Sequence, residues 1–173
     1  MNLFLVPASQ ENVQKTILSP VNISVAREFL NVSEFSKLKA VLGSEKKFHC
    51  WAMTERRISC FWTMQPGDVV LITLKGTGVF NYMCTVLHKM KSERLGEHLW
   101  PYTPSGPWIL IYCLQDIEEI KIEKDNLVSL LGFRHEYKVP GIIHVDRNRL
   151  GKVFKKYGSL EKFLEVLRKE RSV

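Results

Sequence analysis

Four apolar runs of strand length lie in the middle of the sequence, and they constrain the fold more than any other feature. They are rich in β-branched and aromatic residues and cover residues 48–53, 68–75, 79–90 and 108–114. Met64-Gln-Pro-Gly-Asp68 predicts a turn before the second run, because proline fixes φ and glycine accepts a positive φ. The runs therefore predict a sheet, with the second run as a central, buried strand.

Helical patterns flank these strands. After a short buried strand at residues 3–6, a helix is expected to begin near Asn12 and to end by Pro20, and apolar spacing predicts further helix up to a C-cap at Gly43. Towards the C-terminus, helices are predicted near 126–131 and 150–157, and a last helix, capped by Ser159, runs to Arg168-Lys-Glu-Arg171. The pattern predicts a mixed α/β (α+β) fold.

Residues 91–107 contain three prolines and two glycines, so they predict a long exposed loop. With 173 residues and 45% hydrophobic content, the chain is expected to fold as a single domain. The four cysteines form no Cys-x-x-Cys pair, so we expect them to be core thiols in a reducing compartment. We expect the protein to bind neither a metal nor a cofactor. No apolar run approaches the roughly 20 residues that span a bilayer, so we expect a soluble, cytoplasmic protein without a membrane partner.

The formal net charge of +7 favours an anionic partner such as nucleic acid. Residues 134–156 hold seven cationic side chains against two carboxylates, a local net charge of +5. These cations are either phosphate contacts or an ordinary solvated face. The candidate phosphate-binding residues are Arg134, Lys138, Arg147 and Arg149.

The four tryptophans differ in their sequence surroundings. Trp108 begins an apolar run and Trp62 lies in Cys60-Phe-Trp-Thr63, so both are expected in the core or scaffold. Trp51 ends a predicted strand between polar flanks, and Trp100 lies beside prolines in the predicted loop. We therefore expect Trp51 and Trp100 to stack on a flat base, an interaction worth roughly 1–3 kcal/mol per base, with core packing as the alternative.

Several segments resemble YTH domains, whose relatives include the EVE and PUA-like modules. The resemblance lies in Leu3-Phe-Leu-Val-Pro-Ala-Ser-Gln-Glu-Asn-Val13, in Lys47-Phe-His-Cys-Trp-Ala-Met-Thr54, and in His98-Leu-Trp100 followed by Gly106-Pro-Trp-Ile-Leu-Ile111. It implies a PUA-type curved β-barrel or strongly bent sheet flanked by helices. Residues 20–45 would then be a helical insertion longer than that of a typical YTH domain.

The same resemblance implies roles for individual residues. Asn12 would read the Watson–Crick edge of N6-methyladenine, since its amide both donates and accepts, while Trp51 and Trp100 would clamp the flipped base. Backbone groups around Ala52 would complete the readout, and Ser9, in the opening turn near Asn12, would be a further base-contacting residue. The third wall of the cage stays open among Leu99, Tyr102 and Trp62.

With its extended helical segment, the sequence also resembles the N-terminal DNA-recognition domain of McrB-type modification-dependent restriction proteins of thermophilic archaea. That implies N6-methyladenine in double-stranded DNA as the ligand, with N6-methyladenine RNA or another base such as 5-methylcytosine as alternatives. It also implies an AAA+ GTPase motor in the same chain and a nuclease subunit as partners. No Gly-x-x-x-x-Gly-Lys-Ser/Thr loop occurs here, so residues 1–173 are expected to form the N-terminal part of a larger protein.

Two other function classes remain open at this point. Asp116 and Glu119-Ile-Lys121 resemble elements of metal-dependent nucleases, but such triplets arise by chance in charged segments. A protein-interaction module built on Trp100 and its proline-rich loop is the second alternative. The expectation is a recognition domain without catalytic residues.

Overall fold

The computed structural model describes residues 1–169 as a mixed α+β fold. The strands are β1 (Leu3–Ala8), β2 (Val21–Asn22), β3 (Lys47–Met53), β4 (Val69–Leu74), β5 (Val79–Lys91), β6 (Leu110–Glu123) and β7 (Ile143–His144). They form one open sheet in the order β2-β3-β6-β5-β4-β1-β7. The predicted fold class is confirmed.

Among residues 1–169, eight α-helices accompany the strands. They are α1 (Gln10–Val13), α2 (Ile23–Phe29), α3 (Val32–Leu42), α4 (Ile58–Thr63), α5 (Glu93–Leu99), α6 (Lys124–Leu130), α7 (Arg147–Tyr157) and α8 (Leu160–Lys169). A π-helical turn at Gln14–Leu18 extends α1, and a 3-10 turn at Glu55–Arg57 precedes α4. Glu170 and Arg171, predicted at the end of the last helix, lie outside the described residues.

The chain divides into two compact units. The first unit comprises Met1–Ser9, Asp68–Cys84 and Ile117–Val173, and the second comprises Gln10–Gly67 and Thr85–Asp116. The single domain over residues 1–173 therefore stays a prediction, as does the treatment of residues 20–45 as an insertion. Helices α2 and α3 do occupy that segment.

In the first unit, β1 and β4 pair in parallel from Leu3↔Val69 to Ala8↔Leu74, and β7 pairs antiparallel with β1. Every residue of β4 is buried, as the sequence predicts for a central strand. The apolar faces of α6, α7 and α8 pack with β1 and β4 into one core. Asp68 fixes the start of β1, since its carboxylate accepts hydrogen bonds from the Asn2 backbone and side-chain nitrogens at 2.7 and 3.0 Å.

In the second unit, β3 pairs antiparallel with β6 from His49↔Leu114 to Met53↔Leu110. Asn22 and Asn31 cap the N-termini of α2 and α3, since their side chains accept hydrogen bonds from the first-turn backbone amides. Gly43 ends α3 with φ of +58°, which confirms the predicted C-cap. These helices bury Ala26, Leu38 and Leu42 together with residues of β3 and β6.

Two predictions about secondary structure are wrong. The predicted loop at 91–107 contains α5, because the Ser92 side chain caps its N-terminus and Gly96 allows close packing. Strand β6 continues to Glu123, past Asp116 at φ +50°, so it extends well beyond the predicted run at 108–114 and includes Asp116 and Glu119.

None of the four cysteines, all of which lie within residues 1–169, forms a disulfide. Cys50, Cys84 and Cys113 are buried, as expected of core thiols, whereas Cys60 is half-buried on α4. Over residues 1–169, no helix is both long and apolar enough to cross a membrane.

Candidate functional site

Three indole rings contact one another in the second unit, and we call Trp51, Trp100 and Trp108 the tryptophan cluster. The ring centroids of Trp51 and Trp100 are 6.2 Å apart with planes at 69°. Trp108 lies 5.4 Å from Trp51 and 5.6 Å from Trp100, tilted by 54° and 46°. The structure thus brings together the two tryptophans singled out from the sequence and adds a third.

Backbone packing holds Trp100 and Trp108 side by side. The Trp100 amide donates to the Gly96 carbonyl at 2.8 Å at the end of α5, and the Ser92 amide, at its start, donates to the Ile109 carbonyl at 3.0 Å. Between these anchors, Gly96 lies against Trp108, where a Cβ would come within 2.1 Å of the carbonyl oxygen. Only glycine permits this approach of α5 to the Trp108 backbone.

The cluster is closed in this structure. Trp51 and Trp100 are each 3% exposed, and Trp108 is half-buried. A base sandwiched between two rings needs nearly parallel planes separated by two carbon–carbon contact distances of about 3.5–4.0 Å each. Trp51 and Trp100 instead meet edge to face, so a base would have to separate the rings or stack on the outer face of the cluster.

One polar atom of the cluster is left without a partner. The Trp100 indole Nε1 is buried and has no hydrogen-bond acceptor among residues 1–169. A buried donor that loses water without gaining an acceptor costs about 1–3 kcal/mol. A ligand with an acceptor atom would remove that penalty, so the cluster combines apolar ring surface with one directed N–H donor.

Trp108 is the site residue that the sequence interpretation assigned to the scaffold. Trp100 and Trp108 stand at the two ends of the segment 101–107, and Trp108 precedes β6 by two residues. Two tryptophans that bracket a proline-rich segment are the sequence signal that predicts their proximity.

The segment 101–107 projects Tyr102 into solvent. Tyr102 is 95% exposed, so it forms no wall of the closed cluster. The Thr103 hydroxyl donates to the Gly106 carbonyl, and the Gly106 amide donates back to the Thr103 carbonyl at 3.3 Å. Gly106 has φ of +98°, a conformation that favours glycine.

Trp62 is 68% exposed, so its predicted place in the core is wrong. It follows Phe61 on α4, and a helix turns consecutive residues to different faces, so that Phe61 is buried while Trp62 points outward. The Lys89 ammonium fixes this orientation, since it donates to the Phe61 carbonyl at 2.6 Å and lies 4.8 Å from the Phe61 ring centroid.

Of the four remaining candidates for base contact, three lie in the second unit and one lies in the first. Ala52 is buried in β3 opposite Ile111, and Leu99 packs against the core of the second unit at the end of α5. Asn12 is half-buried on α1. A short contact between His49 Nδ1 and the Ile17 carbonyl oxygen joins β3 to the π-helical turn that follows α1. Ser9 belongs to the first unit.

The basic residues of the first unit fall into two classes. Arg149 is held within the fold, because its Nη1 donates to the Gly132 carbonyl at 2.7 Å and its guanidinium carbon lies 3.9 Å from the Phe133 ring centroid. Arg134, Lys138 and Arg147 are exposed and form no ion pair with any of residues 1–169. These three therefore remain candidates for phosphate contact, while Arg149 has a structural role.

The fold is similar to that of the N-terminal domain of Thermococcus gammatolerans McrB bound to m5C DNA, with a TM-score of 0.63 and 15% identity over 90% of this chain and 96% of that chain. ASCH from Zymomonas mobilis matches with a TM-score of 0.47 and 9% identity over 88% and 94% of the two chains. The YTH domain of Zygosaccharomyces rouxii MRB1, in complex with N6-methyladenosine RNA, matches with a TM-score of 0.44 and 12% identity over 90% of this chain and 85% of that chain. No family model and no curated protein matches the sequence. The resemblance to the McrB N-terminal domain is thus confirmed for the fold.

Proposed function

We propose that this chain recognises a modified base in nucleic acid and holds it at the tryptophan cluster. The observation that carries this proposal is the contact of three indoles around a buried Trp100 N–H that has no acceptor among residues 1–169. Two of these indoles flank the exposed segment 101–107. Indole faces accept any flat base, and a directed donor adds selectivity that stacking alone does not give. The fold supports it, since the similar McrB domain was solved bound to m5C DNA.

The preferred ligand is N6-methyladenine in double-stranded DNA. Adenine offers ring-nitrogen acceptors to the Trp100 N–H, and its N6-methyl group adds apolar contact to the indoles. Asn12 is proposed to read the Watson–Crick edge, in line with the sequence resemblance of residues 3–13 to YTH domains. 5-Methylcytosine and N6-methyladenine RNA are the alternatives, and the 2′-hydroxyl separates RNA from DNA.

Binding of an extruded base between the rings requires the cluster to open. The segment 101–107 joins Trp100 to Trp108 and buries little of its own surface, so its displacement separates two rings without breaking the β3–β6 pairing. Trp108 then serves as the third wall of the cage, in place of Leu99, Tyr102 or Trp62. Stacking at roughly 1–3 kcal/mol per base offsets the few kcal/mol that extrusion costs.

Phosphate contacts are proposed for Arg134, Lys138 and Arg147. Their side chains are exposed and lack ion-pair partners among residues 1–169, so no existing interaction must be broken when a phosphate binds. Each neutralised phosphate releases counterions, which makes binding salt-dependent. Arg149 is left out because the Gly132 carbonyl and the Phe133 ring already hold it.

By analogy with the McrB domain, we propose that residues 1–173 act as a single target-recognition domain of a modification-dependent restriction system in the cytoplasm. An AAA+ GTPase motor in the same protein and a nuclease subunit would complete that system. The chain itself would bind the modified base without altering it.

Fluorescence-anisotropy titration of matched duplexes tests the proposal. Duplexes with adenine, N6-methyladenine or 5-methylcytosine at one position are compared at a fixed salt concentration. RNA of the same sequence that contains N6-methyladenine is the fourth ligand. The wild type is expected to prefer N6-methyladenine DNA. Trp51→Ala and Trp100→Ala are each expected to weaken this binding about tenfold or more.

The controls separate loss of binding from loss of folding. Truncation of a buried tryptophan costs about 3–5 kcal/mol, so circular dichroism must show each variant folded, and Trp51→Phe and Trp100→Phe serve where alanine unfolds the chain. Trp62→Ala is the matched control, because Trp62 is exposed and lies outside the cluster. Equal binding of all ligands, unchanged by the cluster variants, would leave only a basic surface.

A further inference from the structure

Tyr102 combines near-complete exposure with a place beside the tryptophan cluster. It is 95% exposed, and among the ring contacts of residues 1–169 none involves it. It follows Trp100 by two residues, so their Cα atoms are at most about 7 Å apart. An aromatic ring that is almost fully exposed and makes no ring contact among residues 1–169 thus lies at the rim of the proposed base site.

The local backbone holds Tyr102 outward. Pro101 fixes φ immediately before it, and the paired hydrogen bonds between Thr103 and Gly106 close the turn immediately after it. The ring is therefore presented by a constrained turn. A constrained backbone loses little conformational entropy on binding, which suits this turn to presenting a ring for insertion between stacked groups.

We propose that Tyr102 is the wedge that enters the base stack when the modified base leaves it. The inference rests on the proposed function and names its partner as duplex DNA with a modified base. Extrusion leaves a gap in the stack, in which bases rise by about 3.4 Å, and an aromatic ring restores stacking on both neighbours. Because Tyr102 is only two residues from Trp100, it reaches that gap while the flipped base lies against Trp100.

Trp62 is the second exposed aromatic residue of this unit, and its position argues against the same role. Its ring lies 6.0 Å from that of Phe61 on α4. It belongs to neither the cluster nor the segment between Trp100 and Trp108. Trp62→Ala is therefore the matched control for Tyr102→Ala: each variant removes one exposed aromatic ring from the second unit.

The experiment compares two ligands that contain the same N6-methyladenine strand. In the first, the strand is paired with its complement, so extrusion of the modified base leaves a gap between stacked neighbours. In the second, the strand is single and has no duplex stack to fill. Affinities of the wild-type chain, Tyr102→Ala, Tyr102→Phe and Trp62→Ala are measured by anisotropy at one salt concentration. A 5-methylcytosine duplex is titrated in parallel. If the wild type prefers 5-methylcytosine, both ligands are made with that base in place of N6-methyladenine.

Tyr102→Ala is expected to weaken binding of the duplex about tenfold and of the single strand less than about twofold. Tyr102→Phe keeps the ring and should bind both ligands as the wild type does, and Trp62→Ala should leave both affinities unchanged. Equal weakening on both ligands would make Tyr102 an ordinary contact, and no weakening on either would remove it from the interface. Either result would overturn the wedge without affecting base recognition, whereas a wild type that binds modified and unmodified duplexes equally would overturn the proposed function itself.

Discussion

Gly96 on α5 lies so close to the Trp108 backbone that a Cβ at this position would be 2.1 Å from the Trp108 carbonyl oxygen. No real Cβ tolerates such a separation, and the neighbour is main chain that cannot turn aside. The same helix carries Trp100 at its C-terminal end, so this contact sets the distance between two rings of the cluster.

Gly96→Ala is therefore expected to push α5 away from β6. Overpacking against backbone costs about 1–3 kcal/mol, so the free energy of unfolding should fall by at least that amount. The displacement also moves Trp100 relative to Trp108, so tryptophan emission and the affinity for the modified duplex should change together. Urea denaturation followed by fluorescence measures the first effect, and anisotropy measures the second.

Gly151→Ala provides the matched control. Gly151 lies inside α7, and a Cβ there would meet nothing within 4 Å. Alanine has a higher helix propensity than glycine by about 1 kcal/mol, so this variant should be as stable as the wild type or more so. If Gly96→Ala were as stable as Gly151→Ala, α5 would not pack as closely on the Trp108 backbone as the structure shows.

Arg147 and Arg149 are two residues apart in sequence, and we expect their substitution to affect different properties. Arg149→Ala removes the hydrogen bond to the Gly132 carbonyl and the stacking on Phe133, so it should lower the free energy of unfolding by about 1–2 kcal/mol. Arg147→Ala should leave stability unchanged and reduce the slope of log affinity against log salt by about 1. Weaker DNA binding by a fully stable Arg149→Ala would contradict this division.

The four thiols should differ in reactivity. Burial raises the pKa of Cys113 to about 12, and burial together with the nearby Glu118 carboxylate raises that of Cys84 to about 12. Burial and the adjacent Cys113 raise the pKa of Cys50 well above its ordinary value. Because the thiolate is the nucleophile, we expect iodoacetamide to modify Cys60 alone in the native protein and all four thiols in denaturant. Cys60→Ser should then abolish labelling of the folded chain, and native labelling of Cys50 would contradict the packing of β3 on β6.

Local signals predicted most of the regular structure. Alternating and continuous apolar runs located β3, β4 and β5, and Gly43 and Ser159 marked a helix end and a helix start. These features depend on residues close in sequence. The predicted similarity to the McrB-type domain also holds for the fold.

The errors arise where a tertiary contact decides the structure. Helix α5 contains a glycine and precedes three prolines, and only its packing on Trp108 shows why the glycine is there. Trp62 was expected in the core because its neighbours are apolar, but the Lys89 contacts with Phe61 decide which ring of the pair faces inward. Trp108 joins the cluster through the same α5 packing, which sequence periodicity does not reveal.

His88 predicts a pH dependence of stability. Burial lowers the pKa of His88 below its ordinary value of 6.5; among its charged neighbours the Glu34 carboxylate raises the pKa and Lys37 lowers it. Its Nε2 is buried without a hydrogen-bond partner among residues 1–169, so the fold favours the neutral ring. As the pH falls below 6.5, the unfolded chain binds the proton first, so the folded state loses stability until the pH passes the lowered folded pKa. We expect the free energy of unfolding, measured by urea titration from neutral to mildly acidic pH, to fall less steeply in His88→Phe than in the wild type. If the free energy of unfolding of His88→Phe fell as steeply with pH as that of the wild type, other groups would cause the loss.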